Sequence, residues 1–288
     1  MTNLVGLLEM ISDDRISGSS EIYSALLDGL EEALYHRPKV QDWKEFSEGL
    51  AKVKRSMAPV QNIAGSIRVL LNAQIPDDQF NGFVRGFLTD LRSRETEANE
   101  KISRNLVKKY RPGKVLTLSY SGTVVNSIYS MPKSVEISVA ESLPMGEGFL
   151  TCHKLLEKGY PATLFKDSLM ATEVQKVDLV LVGADGVSPE GVVNKVGTMM
   201  AALAAKKNKK PFVVVCSTSK LIPVLELDPM ENEEVVNEVK VREAVFELTP
   251  LELVTAVITD EGVLSGAGMK KRLLKDRGNM KVTECQTC

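Results

Sequence analysis

The sequence predicts an α/β protein: a helical N-terminal domain over residues 1–111, then a doubly wound, mostly parallel sheet over residues 112–288. Three observations predict it. Apolar residues keep three-and-four spacing from about residue 20 to 110. After Arg111-Pro112-Gly113, short apolar or β-branched runs alternate with helix-length segments, the texture of βαβ units with helices on both faces of a sheet. The run from Val177 to Val182 ends in Gly183-Ala184-Asp185-Gly186, a buried strand closed by a sharp turn, and an alanine-rich segment expected to be helical from Asn194 follows.

Each helix has its own stripe. Ile22, Ala25, Leu26, Leu30, Ala33 and Leu34 form the first, ending near Arg37-Pro38. Trp43, Phe46, Leu50 and Val53 form the second. Ile63, Ala64, Ile67, Leu70 and Leu71 form the third, with Pro59 near its start. Phe80, Phe83, Val84, Phe87, Leu88 and Leu91 begin a fourth, which the polar stretch after Arg92 carries to Leu106 and Tyr110. Because the Phe and Trp residues fall on these stripes, they are expected in the core.

The strands are expected at 115–118, 135–140, 162–165, 179–182 and 212–216. In an open parallel sheet, ligands bind beyond the carboxyl ends of the strands, where the loops splay and helix N-termini point inward. Those ends carry Ser119-Tyr120-Ser121-Gly122, Glu141-Ser142-Leu143-Pro144 and Gly183-Ala184-Asp185-Gly186, which are expected to share one crevice with Asn194 and Lys195. Asp185 is the carboxylate best placed for chemistry; the alternative is that it caps a turn.

Composition narrows the function classes. The chain has 288 residues, a formal net charge of -2 and 26% charged residues, so it offers no global attraction to nucleic acid or an anionic membrane. The basic run Lys206-Lys207-Asn208-Lys209-Lys210 reads as a solvated helix end. No apolar stretch approaches the roughly 20 residues that span a bilayer, and Met1-Thr2-Asn3 leads into acidic residues, so a cytoplasmic protein is expected. The four cysteines form no secreted framework, and Cys285-Gln286-Thr287-Cys288 lacks the second pair a structural zinc needs, so neither metal nor cofactor is expected. Dinucleotide, P-loop, zincin and nucleophile-elbow motifs are absent.

Four motifs carry a resemblance: Gly183-Ala184-Asp185, Asn194-Lys195-Val196-Gly197-Thr198, Phe246-Glu247-Leu248-Thr249-Pro250 and Ile258-Thr259-Asp260-Glu261-Gly262. In order and spacing the chain resembles the regulatory alpha, beta and delta subunits of translation initiation factor 2B, whose family includes methylthioribose-1-phosphate isomerase and ribose-1,5-bisphosphate isomerase. The resemblance implies a Rossmann-like C-terminal domain, homodimerisation through it, a possible translation initiation factor partner, and ligand contacts that extend to Gly18 and Ser19.

The isomerases of that family use a cysteine and an aspartate as acid-base groups. Asp185 matches the aspartate, and would be catalytic if the chain is an isomerase. Ser119 stands where the cysteine is expected, and a serine hydroxyl is far less acidic than a thiol. Cys152, on the helix after the second strand, could replace the thiol or simply pack. The family's phosphate-gripping arginines are matched by Ser17, Ser56 and Leu143, none of which supplies a guanidinium. The expectation is therefore a non-catalytic regulatory subunit whose crevice takes a small phosphorylated metabolite or nucleotide. A diverged sugar-phosphate isomerase is the alternative, and a purely structural subunit is a third reading.

Overall fold

Apolar spacing in the first hundred residues builds helices. The computed structural model describes residues 3–14, 18–225, 231–236 and 238–286. Its contacts divide the chain into two units, Met1–Glu97 and Ala98–Cys288.

The first unit is formed by α1 (Leu4–Asp13), α2 (Ser19–Ala33), α3 (Val40–Leu50), α4 (Ala58–Asn72) and the first two-thirds of α5 (Asp77–Lys109). Trp43, Phe46 and Phe80 meet in its core, with the Trp43 and Phe80 ring centres 6.4 Å apart. The indole N–H of Trp43 donates to Asn81 Oδ1 at 2.8 Å, so the one polar edge of this aromatic cluster is satisfied. Two sequence expectations need correction here. Helix α1 was missed, although Leu4, Leu7 and Ile11 bury one face of it, and Phe83 is not core but 51% exposed.

The second unit begins on the last turns of α5, where Ala98, Ile102 and Leu106 are buried. It continues through β1 (Lys114–Thr117), α6 (Gly122–Tyr129), β2 (Glu136–Ala140), α7 (Gly148–Glu157), β3 (Ala162–Phe165), α8 (Met170–Lys176) and β4 (Leu179–Val182). A short hairpin of β5 (Gly186–Val187) and β6 (Val192–Lys195) follows, then α9 (Thr198–Lys207), β7 (Phe212–Val215) and a second hairpin of β8 (Glu231–Val236) and β9 (Val239–Ala244). The chain closes with β10 (Phe246–Thr249), β11 (Ala256–Thr259), β12 (Gly262–Leu264) and α10 (Gly266–Gln286).

The main sheet has the order β12-β11-β7-β4-β1-β2-β3, parallel throughout except for β12. Alternation along each strand sorts side chains to two faces. Leu116, Val180, Val182, Val214 and Val257 pack with α8, α9 and α10 residues on one face. Val115, Leu179, Leu181, Val213 and Ile258 pack with residues of α5, α6 and α7 on the other. The central strands β4 and β7 are apolar without interruption because both their faces are covered.

From β1 the chain winds outward through β2 and β3 in one direction and through β4, β7 and β11 in the other. The order therefore reverses between β1 and β4, and the carboxyl ends of those two strands flank the place where such a sheet opens a crevice. A second, three-stranded sheet, β10-β6-β5, takes up the chain after the β4 turn. Asn194 and Lys195 lie on its strand β6, not in a helix as the alanine-rich texture suggests; the helix begins only at Thr198.

Candidate functional site

Three segments that are distant in sequence converge at the carboxyl edge of β1. The Ser119 hydroxyl donates to Glu147 Oε1 at 2.8 Å. Lys195 Nζ lies 3.0 Å from the same oxygen and 3.2 Å from Oε2. Ser119 follows β1, Glu147 caps α7 after β2, and Lys195 ends β6, so one carboxylate ties together the loops of three elements. The Lys195 side chain is only 2% exposed and Glu147 23% exposed. A buried ammonium persists only with a counter-charge, and Glu147 supplies it.

The backbone serves the same junction. Ser119 and Ser142 both adopt positive φ, 64° and 66°, a left-handed conformation that non-glycine residues hold only when surrounding bonds fix it. Those bonds are present: the Ser119 N–H donates to Ser142 Oγ at 2.7 Å, Thr151 Oγ1 donates to the Ser119 carbonyl at 2.7 Å, and the Ser142 hydroxyl donates to the Ala140 carbonyl at 3.0 Å. The Asp167 carboxylate accepts from the N–H groups of Ser142 and Leu143, each at 2.8 Å. Glu141 accepts from Lys166 Nζ at 2.5 Å.

The β4 tip closes the other side. A Cβ at Gly183 would stand 2.6 Å from Ser121 Oγ, so the turn leading to Asp185 presses directly on the N-cap of α6, and only glycine fits there. Ser121 Oγ accepts from the Val124 N–H at 3.4 Å, and Gly122 opens the helix. Asp185 is held by its own N–H, which donates to the Val193 carbonyl at 2.8 Å. Its half-buried carboxylate has no hydrogen-bond or ion-pair partner among the described residues.

Within the second unit, not all of the expected residues meet. Ser119 and Lys195 join through Glu147, Ser142 joins them through the Ser119 N–H, Ser121 and Gly122 abut the Asp185 turn, and Glu141 flanks them. Asn194 sits beside Lys195 on β6, but successive strand residues face opposite ways, and its amide donates to Thr198 Oγ1 at 3.0 Å. Gly18 and Ser19 lie in the first unit, at the N-terminus of α2, where Glu21 accepts from the Gly18 N–H at 3.2 Å. Ser56 is buried in that unit, Leu143 is 53% exposed in the second, and Ser17 lies outside the described residues. Cys152 sits in the apolar layer with Val139 and Leu155, and burial pushes its thiol up, away from the ionised form that chemistry would need.

Sequence reasoning missed Glu147, Asp167 and Glu247. The last accepts from the Met199 N–H at 2.9 Å, in the first turn of α9. The signal for Glu147 was indirect: a lysine placed in an apolar setting demands a carboxylate, and the loop after β2 carries one.

This chain is similar to proteins of two kinds. The ribose 1,5-bisphosphate isomerase of Methanocaldococcus jannaschii is 30% identical over 51% of this chain and 52% of its own length. That of Archaeoglobus fulgidus matches over 50% of its length, so the chain spans about half of each of these two relatives. A methylthioribose-1-phosphate isomerase of Pelotomaculum thermopropionicum is 27% identical over 91% of this chain and 83% of its own. Among solved structures, a translation initiation factor eIF-2B of Pyrococcus horikoshii matches with a TM-score of 0.79 at 25% identity, covering 91% of this chain and 96% of that one. The Initiation factor 2 subunit family matches residues 15–266, which take in both the helical stripes and the whole constellation around Glu147. With that span and a shared fold, the chain belongs to the initiation factor 2 subunit family.

Proposed function

We propose that this chain is a non-catalytic regulatory member of its family, whose crevice at the β1 and β4 tips binds a small metabolite. The observation that carries this reading is the bond from Ser119 to Glu147. The residue standing where the isomerases are expected to hold a thiol is a hydroxyl, and its proton is directed to a carboxylate that a buried lysine already occupies. A carboxylate so engaged is a poor base for a serine, whose hydroxyl is intrinsically a weak acid. Ligand contacts are assigned within the second unit to Ser119, Ser121, Gly122, Glu141, Ser142, Asp185, Asn194 and Lys195, and within the first unit, separately, to Gly18 and Ser19.

Incubation of the purified protein with ribose 1,5-bisphosphate or methylthioribose 1-phosphate, followed by phosphorus NMR, should show no turnover. A rate of about 1 s⁻¹ or more, abolished by Asp185→Asn, would establish the isomerase instead. One feature favours that second reading, namely that the Asp185 carboxylate has no partner among the described residues and is therefore available as an acid-base group.

The regulatory reading includes a cytoplasmic location, a translation initiation factor as partner and a homodimer joined through the sheet unit. On α9, Met200 and Leu203 are 41% and 51% exposed, adaptable apolar residues suited to helix packing. Light scattering should give twice the 31.6 kDa chain mass at micromolar concentration; the monomer mass would sink the dimer.

A further inference from the structure

We propose that a second site, a cleft between α5 and α6, binds a small zwitterion, a free α-amino acid. The cleft has a volume of about 530 Å³, in the range of small-molecule sites. Its lining includes Asn99, Glu100, Ser103 and Arg104 of α5 and Asn126 and Ser130 of α6, all of them in the second unit. It is separate from the crevice: the crevice adjoins Ser121, the N-cap of α6, whereas Ser130 caps the other end of that helix. Both walls are fixed from behind. Ile102 and Leu106 of α5 and Val124 and Ile128 of α6 are buried in one apolar layer, and the Asn105 amide donates to the Thr259 carbonyl at 2.9 Å, which pins α5 to the sheet. A ligand therefore meets a cleft already formed, with little ordering left to do.

The polar groups of this cleft are not engaged elsewhere. Ser103 is only 6% exposed. Its hydroxyl, like the side chains of Asn99, Glu100, Arg104 and Asn126, has no hydrogen-bond or ion-pair partner among the described residues. Buried hydroxyls are normally bonded. Elsewhere on the same helix, Thr89 and Thr96 donate to the Arg85 and Arg92 carbonyls at 3.0 and 2.9 Å, whereas Ser103 lines the cleft without such a bond. Glu100 and Arg104 lie one turn apart on α5, about 6 Å along its axis, and make no ion pair with each other. The cleft thus presents one anion and one cation side by side. A simple anion would pair with Arg104 and be repelled by Glu100, and a simple cation would meet the reverse. A molecule that carries both an ammonium and a carboxylate answers both with charge-assisted hydrogen bonds. The Asn99 and Asn126 amides, each both donor and acceptor, and the Ser103 hydroxyl then take up its remaining polar atoms.

The test screens each protein L-amino acid against the intact protein at low salt by saturation-transfer NMR, up to about 10 mM. Any that binds is compared by calorimetric titration with its N-acetyl derivative, which lacks the ammonium, and its carboxamide, which lacks the carboxylate. The expected result is that at least one amino acid binds and that both derivatives lose about tenfold or more in affinity. Glu100→Gln and Arg104→Gln, at exposed positions where the fold should be kept, should each weaken binding by about tenfold, with the urea midpoint unchanged. Absence of binding by every amino acid overturns the proposal. An N-acetyl derivative that binds as tightly as its parent would mark a simple anion site and overturns it as well. Binding that neither substitution weakens places the ligand outside this cleft, with the same consequence. None of these outcomes bears on the role proposed for the crevice.

Discussion

At the scale of single residues, Glu147 does the most. Its two oxygens answer a buried lysine and a serine hydroxyl, and its backbone opens α7. Removing one partner of a buried ion pair is costly because the other charge stays behind, typically by about 3–5 kcal/mol. Since Glu147 is 23% exposed, water can reach part of that space, and Glu147→Ala should cost about 2–4 kcal/mol in urea unfolding. Adding Lys195→Met to Glu147→Ala should restore much of the loss, because the orphaned charge is then gone and the methionine fills similar volume. Additive losses in the double variant would mean that the two side chains are not energetically coupled, and would remove the basis for treating Lys195 as neutralised.

At the scale of elements, the central parallel strands were legible because they are buried on both faces and read as unbroken apolar runs, as Leu179 to Val182 and Phe212 to Val215 do, whereas β11 (Ala256–Thr259), equally buried, was not expected. The second sheet was not legible. Strand β6 carries Val192, Val193, Asn194 and Lys195, all buried, and its polar pair sits immediately before a helix, so local texture favours extending that helix backward. Val192 and Val193 pair locally with β5, but Asn194 and Lys195 are held in the strand by β10, opposite Glu247 and Phe246, and pairing across fifty residues leaves no local trace. The crevice was legible as a set of strand tips, since its loops follow β1, β2 and β4. Its electrostatics were not, because Glu147 and Asp167 act on residues 24 to 48 positions away. Gly148 shows the same limit. A Cβ there would fall 1.8 Å from the Ala140 carbonyl oxygen, so α7 can start only with glycine at that point, and this close approach is what brings Glu147 over the Ser119 loop.

For the whole molecule, folding links the sheet unit's core to pH through a buried thiol at the carboxyl end of β7, the strand beside β4. Cys216 follows β7, which lies between β4 and β11, and joins the apolar layer with Phe212, Val214 and Leu251. Burial holds its thiol up from the ordinary 9.0 to about 12, because a thiolate in that layer would lose its hydration. In the unfolded chain the thiol ionises near its ordinary value. Between the two values the unfolded state binds fewer protons than the folded one, so stability falls as pH rises, by about 1.4 kcal/mol per unit for this single group, while below the lower value the group contributes no slope. Tyr23, Tyr110, Tyr129 and Tyr160 are also pushed up by burial and act in the same direction at higher pH. Urea unfolding at about pH 8 and about pH 10 should therefore show the protein losing stability at the alkaline value, and Cys216→Ala should recover about 1.4 kcal/mol of that difference. A variant whose alkaline loss equals the parent's would show that Cys216 is hydrated in the folded state, and that the sheet is open at the end of β7 where the packing closes it.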